Sequence, residues 1–137
     1  MIFQDIINAV VLNALLFTYA EKEHIYTSMV KDFNEYSKEK NLNIELNLIS
    51  LTPLNTTINI SNYSSMIKTL INKRSKKYDI YFYYGSFTYE YGKHFEDLKK
   101  YSEIINNFEP ETIKSICTYD NKIVGFVYII LFFNIFN

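Results

Sequence analysis

The sequence predicts an α/β fold with an open, mainly parallel sheet and helices on both faces. Apolar runs of strand length alternate with amphipathic stretches of helix length from Ala9 to Tyr84. Each amphipathic stretch is long enough to carry the chain back to the start of a parallel neighbouring strand. Right-handed crossovers of this kind place helices on the sheet faces.

The first element is a buried strand over residues 9–19, because this run is almost continuously apolar. Residues 6–17 also have the apolar character of a signal-peptide core. However, Asp5 precedes them, no Lys or Arg does, and Asn8 and Asn13 interrupt them, which is atypical of such a signal. A strand and an atypical signal that overlaps it are both open interpretations.

The next stretch predicts a helix over residues 22–40. An apolar residue recurs along it at spacings of three and four: Ile25, Met29, Phe33 and Tyr36. Acidic side chains fall in its first turn and basic ones in its last, which complements the helix dipole. Asn41 then suits the left-handed conformation that ends many helices.

Residues 42–51 alternate between apolar and polar side chains, so they predict a half-buried strand near a sheet edge. Pro53 ends it, because proline cannot donate to a strand ladder. The polar loop that follows carries three glycosylation sequons, at Asn55, Asn59 and Asn62. They indicate an extracellular or membrane-associated protein, although a chain rich in Asn, Ser and Thr also produces sequons by chance.

A second helix follows, with Ser61 or Asn62 as its predicted cap and Lys73 at its end. It leads into an aromatic third strand over residues 78–84, which runs into a loop that begins at Gly85. The carboxyl ends of strands are where open α/β sheets usually bind ligands. The aromatic loop is therefore the first candidate for a ligand site.

Shorter elements are predicted beyond this loop. Apolar spacing indicates a third helix over residues 95–105, and Pro110 suits the first turn of a short fourth helix. Residues 116–119 and 122–125 predict two short strands joined by a turn.

Composition argues against several functions. The 137 residues suit one domain with a core, and the net charge of -1 gives no general attraction to nucleic acid or to an anionic membrane. One basic cluster, Lys73, Arg74, Lys76 and Lys77, is expected to be a solvated helix end in preference to a phosphate-binding patch. Cys117 is the single cysteine, so no internal disulfide can form.

Cofactor and catalytic motifs are also missing from the sequence. The three glycines form no phosphate-binding loop, and the two histidines lack the spacing of a metal site. Asp79 is expected at the start of the third strand, where it meets backbone or a basic neighbour. We therefore predict no cofactor, no nucleic-acid partner and no enzymatic activity, and a small α/β enzyme is the least favoured alternative.

Six short motifs stand in order along the chain. They are Glu23-His24-Ile25-Tyr26, Met29-Val30-Lys31-Asp32-Phe33-Asn34, Asn43-Ile44-Glu45-Leu46, Lys77-Tyr78-Asp79-Ile80, Gly92 with Asp97-Leu98, and Tyr119-Asp120-Asn121-Lys122-Ile123-Val124-Gly125. Together they resemble the N-terminal lobe of extracellular solute-binding proteins with the type II periplasmic-binding fold. The resemblance covers roughly Ala9 to Gly125.

The resemblance implies a small polar solute, such as a sugar, held between two lobes. It also implies partners, either an ABC transporter or, for a class C seven-helix receptor ectodomain, a transmembrane region. Where the family continues Gly-Leu-Pro into its second lobe, this chain reads Gly125-Phe126-Val127. Residues 1–126 are thus expected to form a partial lobe, and residues 127–137 an aberrant apolar tail.

Two walls of a solute site follow from this resemblance. Tyr19 and Ala20, after the first strand, form one wall, and the other consists of Tyr84, Gly85, Phe87 and Tyr89. Aromatic faces stack on the C–H side of a sugar while hydroxyl groups bond its rim. A single lobe offers only one side of a cleft, so binding is expected to be weak or absent.

Overall fold

A computed structural model of the chain describes residues 9–126. The chain divides into two compact units, Met1–Tyr83 and Tyr84–Asn137. The apolar tail predicted for residues 127–137 lies outside the described residues, as does the start of the signal-like run.

The first unit alternates strands and helices in the predicted order. Its elements are β1 (Val10–Phe17), α1 (Ala20–Glu39), β2 (Ile44–Leu51), α2 (Ile60–Asn72) and β3 (Ile80–Tyr81). The three strands are parallel and lie in the order β2-β1-β3. This arrangement confirms the α/β class and the predicted edge position of the second strand.

The helices cover opposite faces of the sheet. Phe82 follows the residue that pairs with Leu15, so its side chain falls on the opposite face from Phe17. Phe82 contacts Tyr26 of α1, with ring centroids 5.7 Å apart. Phe17 contacts Tyr63 of α2 at 5.6 Å. One helix therefore packs on each face, as right-handed crossovers in opposite directions require.

The core lies around the carboxyl half of β1. Ala14, Leu15, Leu16 and Phe17 are 0 to 6% exposed, whereas the amino half of the strand is exposed or half-buried. The sequence of a central strand that is buried on both faces is a continuous apolar run. Burying one such leucine contributes about 1.5–3 kcal/mol.

β3 is much shorter than the strand predicted over residues 78–84. The prediction of a strand is correct, but its predicted extent is wrong. The Asn13 N–H donates to the Asp79 carboxylate at 2.8 Å. That donor is therefore not available to a strand carbonyl, and the ladder cannot extend toward Tyr78. Asp79 lies at the start of the strand and bonds backbone, as the sequence predicts.

The cap of α2 differs from the predicted Ser61 or Asn62. Asn59 caps the helix, and its side-chain oxygen accepts the Asn62 N–H at 2.8 Å. Starting earlier brings Ile60 onto the same helix face as the buried Tyr63, three residues on. The burial that Ile60 gains explains why Asn59 caps the helix instead of Ser61 or Asn62.

The outer edge of β2 is occupied by side chains of α1. Odd-numbered residues of β2 face β1, as the bond from Val10 N–H to the Asn43 carbonyl shows. On the other side, Leu46 donates its N–H to Asn34 Oδ1 at 2.8 Å, and its carbonyl accepts from Asn34 Nδ2 at 3.0 Å. The amide of Asn34 thus takes the place of a neighbouring strand.

Two further side chains extend this edge cap. Ser37 Oγ donates to the Ile44 carbonyl and accepts the Ile44 N–H. Asn55 Nδ2 donates to the Ser50 carbonyl at 3.0 Å, and Asn55 Oδ1 accepts the Thr52 N–H at 2.8 Å. These bonds satisfy backbone groups that an edge strand otherwise presents to other chains.

The second unit consists of short elements. After a 3-10 turn at Gly85–Phe87 come α3 (Thr88–Tyr91), 3-10 turns at Gly92–His94 and Leu98–Tyr101, α4 (Ser102–Ile105), α5 (Pro110–Ile116), β4 (Thr118–Tyr119) and β5 (Lys122–Ile123). The helix that begins at Pro110 is confirmed. The two short strands are also present and pair antiparallel, but each is two residues long, and Ile116 belongs to α5 instead of the first strand.

The predicted third helix over residues 95–105 is wrong as a single helix. Asp97 Oδ1 accepts the Lys99 N–H at 3.0 Å and the Ile123 N–H at 3.2 Å. The side chain thereby ties this segment to β5 and starts a tight turn instead of a regular helix. These bonds hold the pKa of the Asp97 carboxyl below its usual range.

Replacing Asn34 with Ala should destabilise the protein by about 1–3 kcal/mol, because two partly buried backbone groups of Leu46 lose their partner. Urea unfolding followed by circular dichroism measures the change. Asn47, whose exposed amide bonds another side chain on the sheet face, provides the matched control. An equal loss in Asn47→Ala would contradict the role of the edge cap.

Replacing Asp97 with Asn should reduce the loss of stability at acid pH, because the amide oxygen keeps both hydrogen bonds but does not titrate. The pKa of Asp97 is lower in the folded protein than its ordinary value of 3.8. The ionised carboxyl therefore stabilises the fold at pH values above 3.8, and this stabilisation is lost as the pH falls through the folded pKa. Urea midpoints measured between neutral and strongly acidic pH test this. The control is Asp32→Asn, on the exposed side of α1. If stability falls with acid in the same way in both variants, Asp97 does not make the expected contribution.

Candidate functional site

The carboxyl ends of β1 and β3 form the candidate site of the first unit. β1 connects through α1 to β2 on one side, and β2 crosses over to β3 on the other side. Such a reversal of strand order opens a crevice at the carboxyl ends of the strands. The two ends are adjacent, since the Phe82 N–H donates to the Leu15 carbonyl at 2.9 Å.

Three aromatic rings run from solvent into the core at this edge, and we call Tyr19, Phe17 and Tyr63 the aromatic row. Tyr19 is 44% exposed, whereas Phe17 and Tyr63 are 6% and 2% exposed. Tyr19 meets Phe17 edge-on with ring centroids 6.3 Å apart, and Phe17 lies 5.6 Å from Tyr63. The exposed ring is therefore supported by two buried rings.

The hydroxyl of Tyr63 lies between the two strands. Its oxygen is 2.6 Å from the Phe82 carbonyl and 3.0 Å from the Leu15 carbonyl. A hydroxyl has one proton to donate, and the Leu15 carbonyl already accepts the Phe82 N–H. The shorter bond to Phe82 is thus the main one, and it ties the end of β3 to α2.

The start of α1 gives this edge its charge. Tyr19 is the N-cap residue and makes no side-chain capping bond, so its ring and hydroxyl are not committed to the helix end. Glu21 and Glu23 lie in the first turn. Their negative charges occupy the region where the helix dipole would otherwise favour an anion. Lys22 lies between the two glutamates in the sequence, so the turn keeps only a small excess of negative charge, which favours a neutral or cationic ligand over an anionic one.

The other predicted site residues belong to the second unit, whereas Tyr19 and Ala20 belong to the first. Tyr84, Gly85 and Phe87 share one turn, in which the Tyr84 carbonyl accepts the Phe87 N–H at 2.9 Å. A Cβ at Gly85 would lie 2.7 Å from the Cβ of Ile116. The glycine therefore permits close packing against α5.

The rings in this turn divide into packed and exposed ones. Phe87 stacks on the buried Tyr91 with centroids 5.9 Å apart. Tyr89 is 84% exposed and contacts Tyr119 at 5.5 Å, and Tyr84 is 41% exposed. Of the four predicted residues in this unit, Tyr89 is largely exposed and Tyr84 is exposed over less than half of its surface.

The three sequon asparagines occupy different surroundings. Asn55 uses both amide atoms to cap the edge of β2, and Asn59 uses its oxygen to cap α2. Asn62 is exposed in the first turn of that helix. Glycosylation at these positions stays a prediction.

Titratable groups add little chemistry to the described region. In residues 9–126 no three His, Cys, Asp or Glu side chains converge in a group that could hold a metal ion. Burial, followed by the neighbouring Tyr78 and Asp79, raises the pKa of Tyr81. Burial alone raises the pKa of the Cys117 thiol. Both groups are therefore neutral at pH 7.

Sequence reasoning missed Phe17 and Tyr63, the two residues that support Tyr19. The apolar periodicity of the second helix predicts only a buried position for Tyr63. The residue type offers a further prediction. A buried tyrosine hydroxyl needs a hydrogen-bond partner, so a tyrosine on the buried face of a helix indicates a bond to the backbone of a neighbouring element.

Comparisons with protein-family models, with curated proteins and with solved structures gave no match to this chain. Among residues 9–126, no helix combines the length and the apolar character needed to cross a membrane.

Replacing Tyr63 with Phe should destabilise the protein by about 1 kcal/mol, since the Phe82 carbonyl loses its side-chain donor while the ring contacts remain. Chemical denaturation measures this loss. Tyr36→Phe is the control, because Tyr36 is 51% exposed, and a change within about 0.5 kcal/mol is expected there. Unaltered stability of Tyr63→Phe would show that the hydroxyl does not fix β3.

Proposed function

We propose that this chain is a solute-binding module, built as the N-terminal lobe of a type II periplasmic-binding fold. Its ligand is a small, neutral, polar ring compound, namely a carbohydrate. The observation that carries the proposal is the exposed Tyr19 ring at the carboxyl end of the central strand, supported by the buried rings of the aromatic row. Parallel sheet topology of this kind is compatible with such a lobe.

The chemistry of the carboxyl edge fits a sugar. An aromatic face stacks on the C–H face of a pyranose, and hydroxyl and carboxylate groups bond its polar rim. Tyr19 supplies the ring and a hydroxyl, and Glu21 and Glu23 supply acceptors in the adjacent helical turn. The same carboxylates disfavour anionic solutes, which is consistent with a neutral ligand such as a sugar.

A buried support matters for affinity. Binding immobilises side chains at a cost of about 0.5–1.5 kcal/mol for each flexible one. Tyr19 packs edge-on against Phe17, which is itself held by Tyr63. The ring is thus partly ordered before the ligand arrives, so less of the binding energy is lost.

We expect weak affinity for the chain by itself. Pockets for small ligands bury roughly 70–90% of the ligand's surface. The edge of one sheet covers one side of a sugar, so a dissociation constant in the millimolar range, about -4 kcal/mol, is expected. In the proposed family relationship, the second lobe provides the remaining surface.

Titrating the ¹⁵N-labelled protein with neutral mono- and disaccharides should shift the amide signals of residues 17–23. Tyr19→Ala should weaken binding about 3- to 10-fold, which corresponds to the energy of one aromatic contact. Tyr36→Ala removes an equally exposed tyrosine from the other end of α1 and should leave the affinity unchanged.

Two outcomes would overturn the proposal. One is equal affinity in the Tyr19→Ala and Tyr36→Ala proteins. The other is a set of amide shifts that appears only with anionic solutes, since Glu21 and Glu23 should disfavour them.

A further inference from the structure

The opposite edge of the same sheet carries a concentration of positive charge. In a parallel α/β unit each helix ends where the next strand begins, so both helix C-termini lie at the amino ends of the strands. We call this surface the amino edge; it comprises residues 38–43, residues 73–80, Val10 and Val11. It contains six cationic side chains: Lys38, Lys40, Lys73, Arg74, Lys76 and Lys77.

The two groups of cations lie on either side of β1. The loop before β2 adjoins β1, because the Val10 N–H donates to the Asn43 carbonyl at 2.7 Å. The loop before β3 adjoins the other side of β1, because the Asp79 N–H donates to the Asn13 carbonyl at 2.8 Å. Val10 and Asn13 are about 10 Å apart along β1, and β2 and β3 lie about 10 Å apart across the sheet, so the two points of attachment are separated by roughly 14 Å.

Exposed apolar side chains lie near these cations. Val10 and Val11 are 59% and 48% exposed, and Leu42 is 43% exposed. Val10 and Val11 are consecutive strand residues and point to opposite faces of the sheet, so apolar surface is present on both sides of the start of β1.

Carboxylates at the amino edge do not cancel its charge. Glu39, Glu45 and Asp79 lie in or beside this surface, so the cations outnumber them two to one. Asp79 is engaged with the Asn13 N–H. The overall net charge of -1 therefore conceals a local excess of positive charge.

We propose that the amino edge binds the surface of an anionic membrane. Lysines dominate the charge, and a lysine acts as a point charge toward a diffuse negative surface, whereas arginine suits bidentate phosphate recognition. Aliphatic side chains gain free energy by entering the boundary between headgroups and acyl chains. Nucleic acid offers them no comparable apolar environment, so the combination favours a lipid surface.

The inference does not depend on the proposed solute site. Eight residues of β1 at about 3.3 Å each span roughly 26 Å, so the two edges lie at opposite ends of the unit. Membrane contact through the amino edge leaves the carboxyl edge directed away from the lipid.

Cosedimentation with vesicles tests the proposal. The full chain should bind vesicles of phosphatidylcholine mixed with phosphatidylserine, and not vesicles of phosphatidylcholine alone. Binding should fall as salt is raised. The double variant Lys76→Gln/Lys77→Gln should bind roughly 30-fold more weakly, because each lysine near a charged surface contributes about 1 kcal/mol.

Matched variants separate charge at this edge from charge elsewhere. Lys22→Gln/Lys31→Gln removes the same charge from the start and middle of α1 and should change binding less than about twofold. Leu42→Gln should weaken binding with all charges retained. Circular dichroism establishes that each variant is folded.

Four results would overturn the inference. They are binding to both kinds of vesicle alike, binding to neither, an equal loss in the two double variants, and tighter binding to duplex DNA than to phosphatidylserine vesicles at the same salt concentration.

Discussion

The first unit depends on side chains that hold a very short strand in place. β3 pairs through two residues, which a backbone ladder alone cannot stabilise in water. At its amino end the Asp79 carboxylate bonds the Asn13 N–H, and at its carboxyl end Tyr63 bonds the Phe82 carbonyl. These two bonds hold β3 beside β1, at the edge where the exposed Tyr19 lies.

Much of the first unit could be predicted because its signals are local. Hydrophobic periods of 3.6 and 2 identify α1 and β2. The left-handed Asn41, with φ of 53°, also ends α1 as the sequence indicates. The shorter β3 could not be predicted, because it results from a bond between Asp79 and a residue 66 positions away. Three neighbouring polar residues could each have capped α2, and only tertiary burial decided in favour of Asn59.

The candidate site could be predicted only in part. The position of Tyr19 after an apolar strand indicates the edge where ligands bind. Its support could not be foreseen, because Phe17 and Tyr63 meet only when α2 packs on the sheet. The sequence places Gly85 in a ligand loop. The structure offers another reason for a glycine there, since only a residue without a side chain can pack so closely against Ile116.

The edge cap of β2 makes the fold sensitive to the chemical ageing of asparagine. Asn34 and Asn55 each use an amide nitrogen to donate to a strand carbonyl. Spontaneous deamidation would replace that donor with a carboxylate oxygen, so an acceptor would face an acceptor and repel it. The loss of ammonia from a single side chain would then expose a strand edge to other protein molecules, without any change in the core.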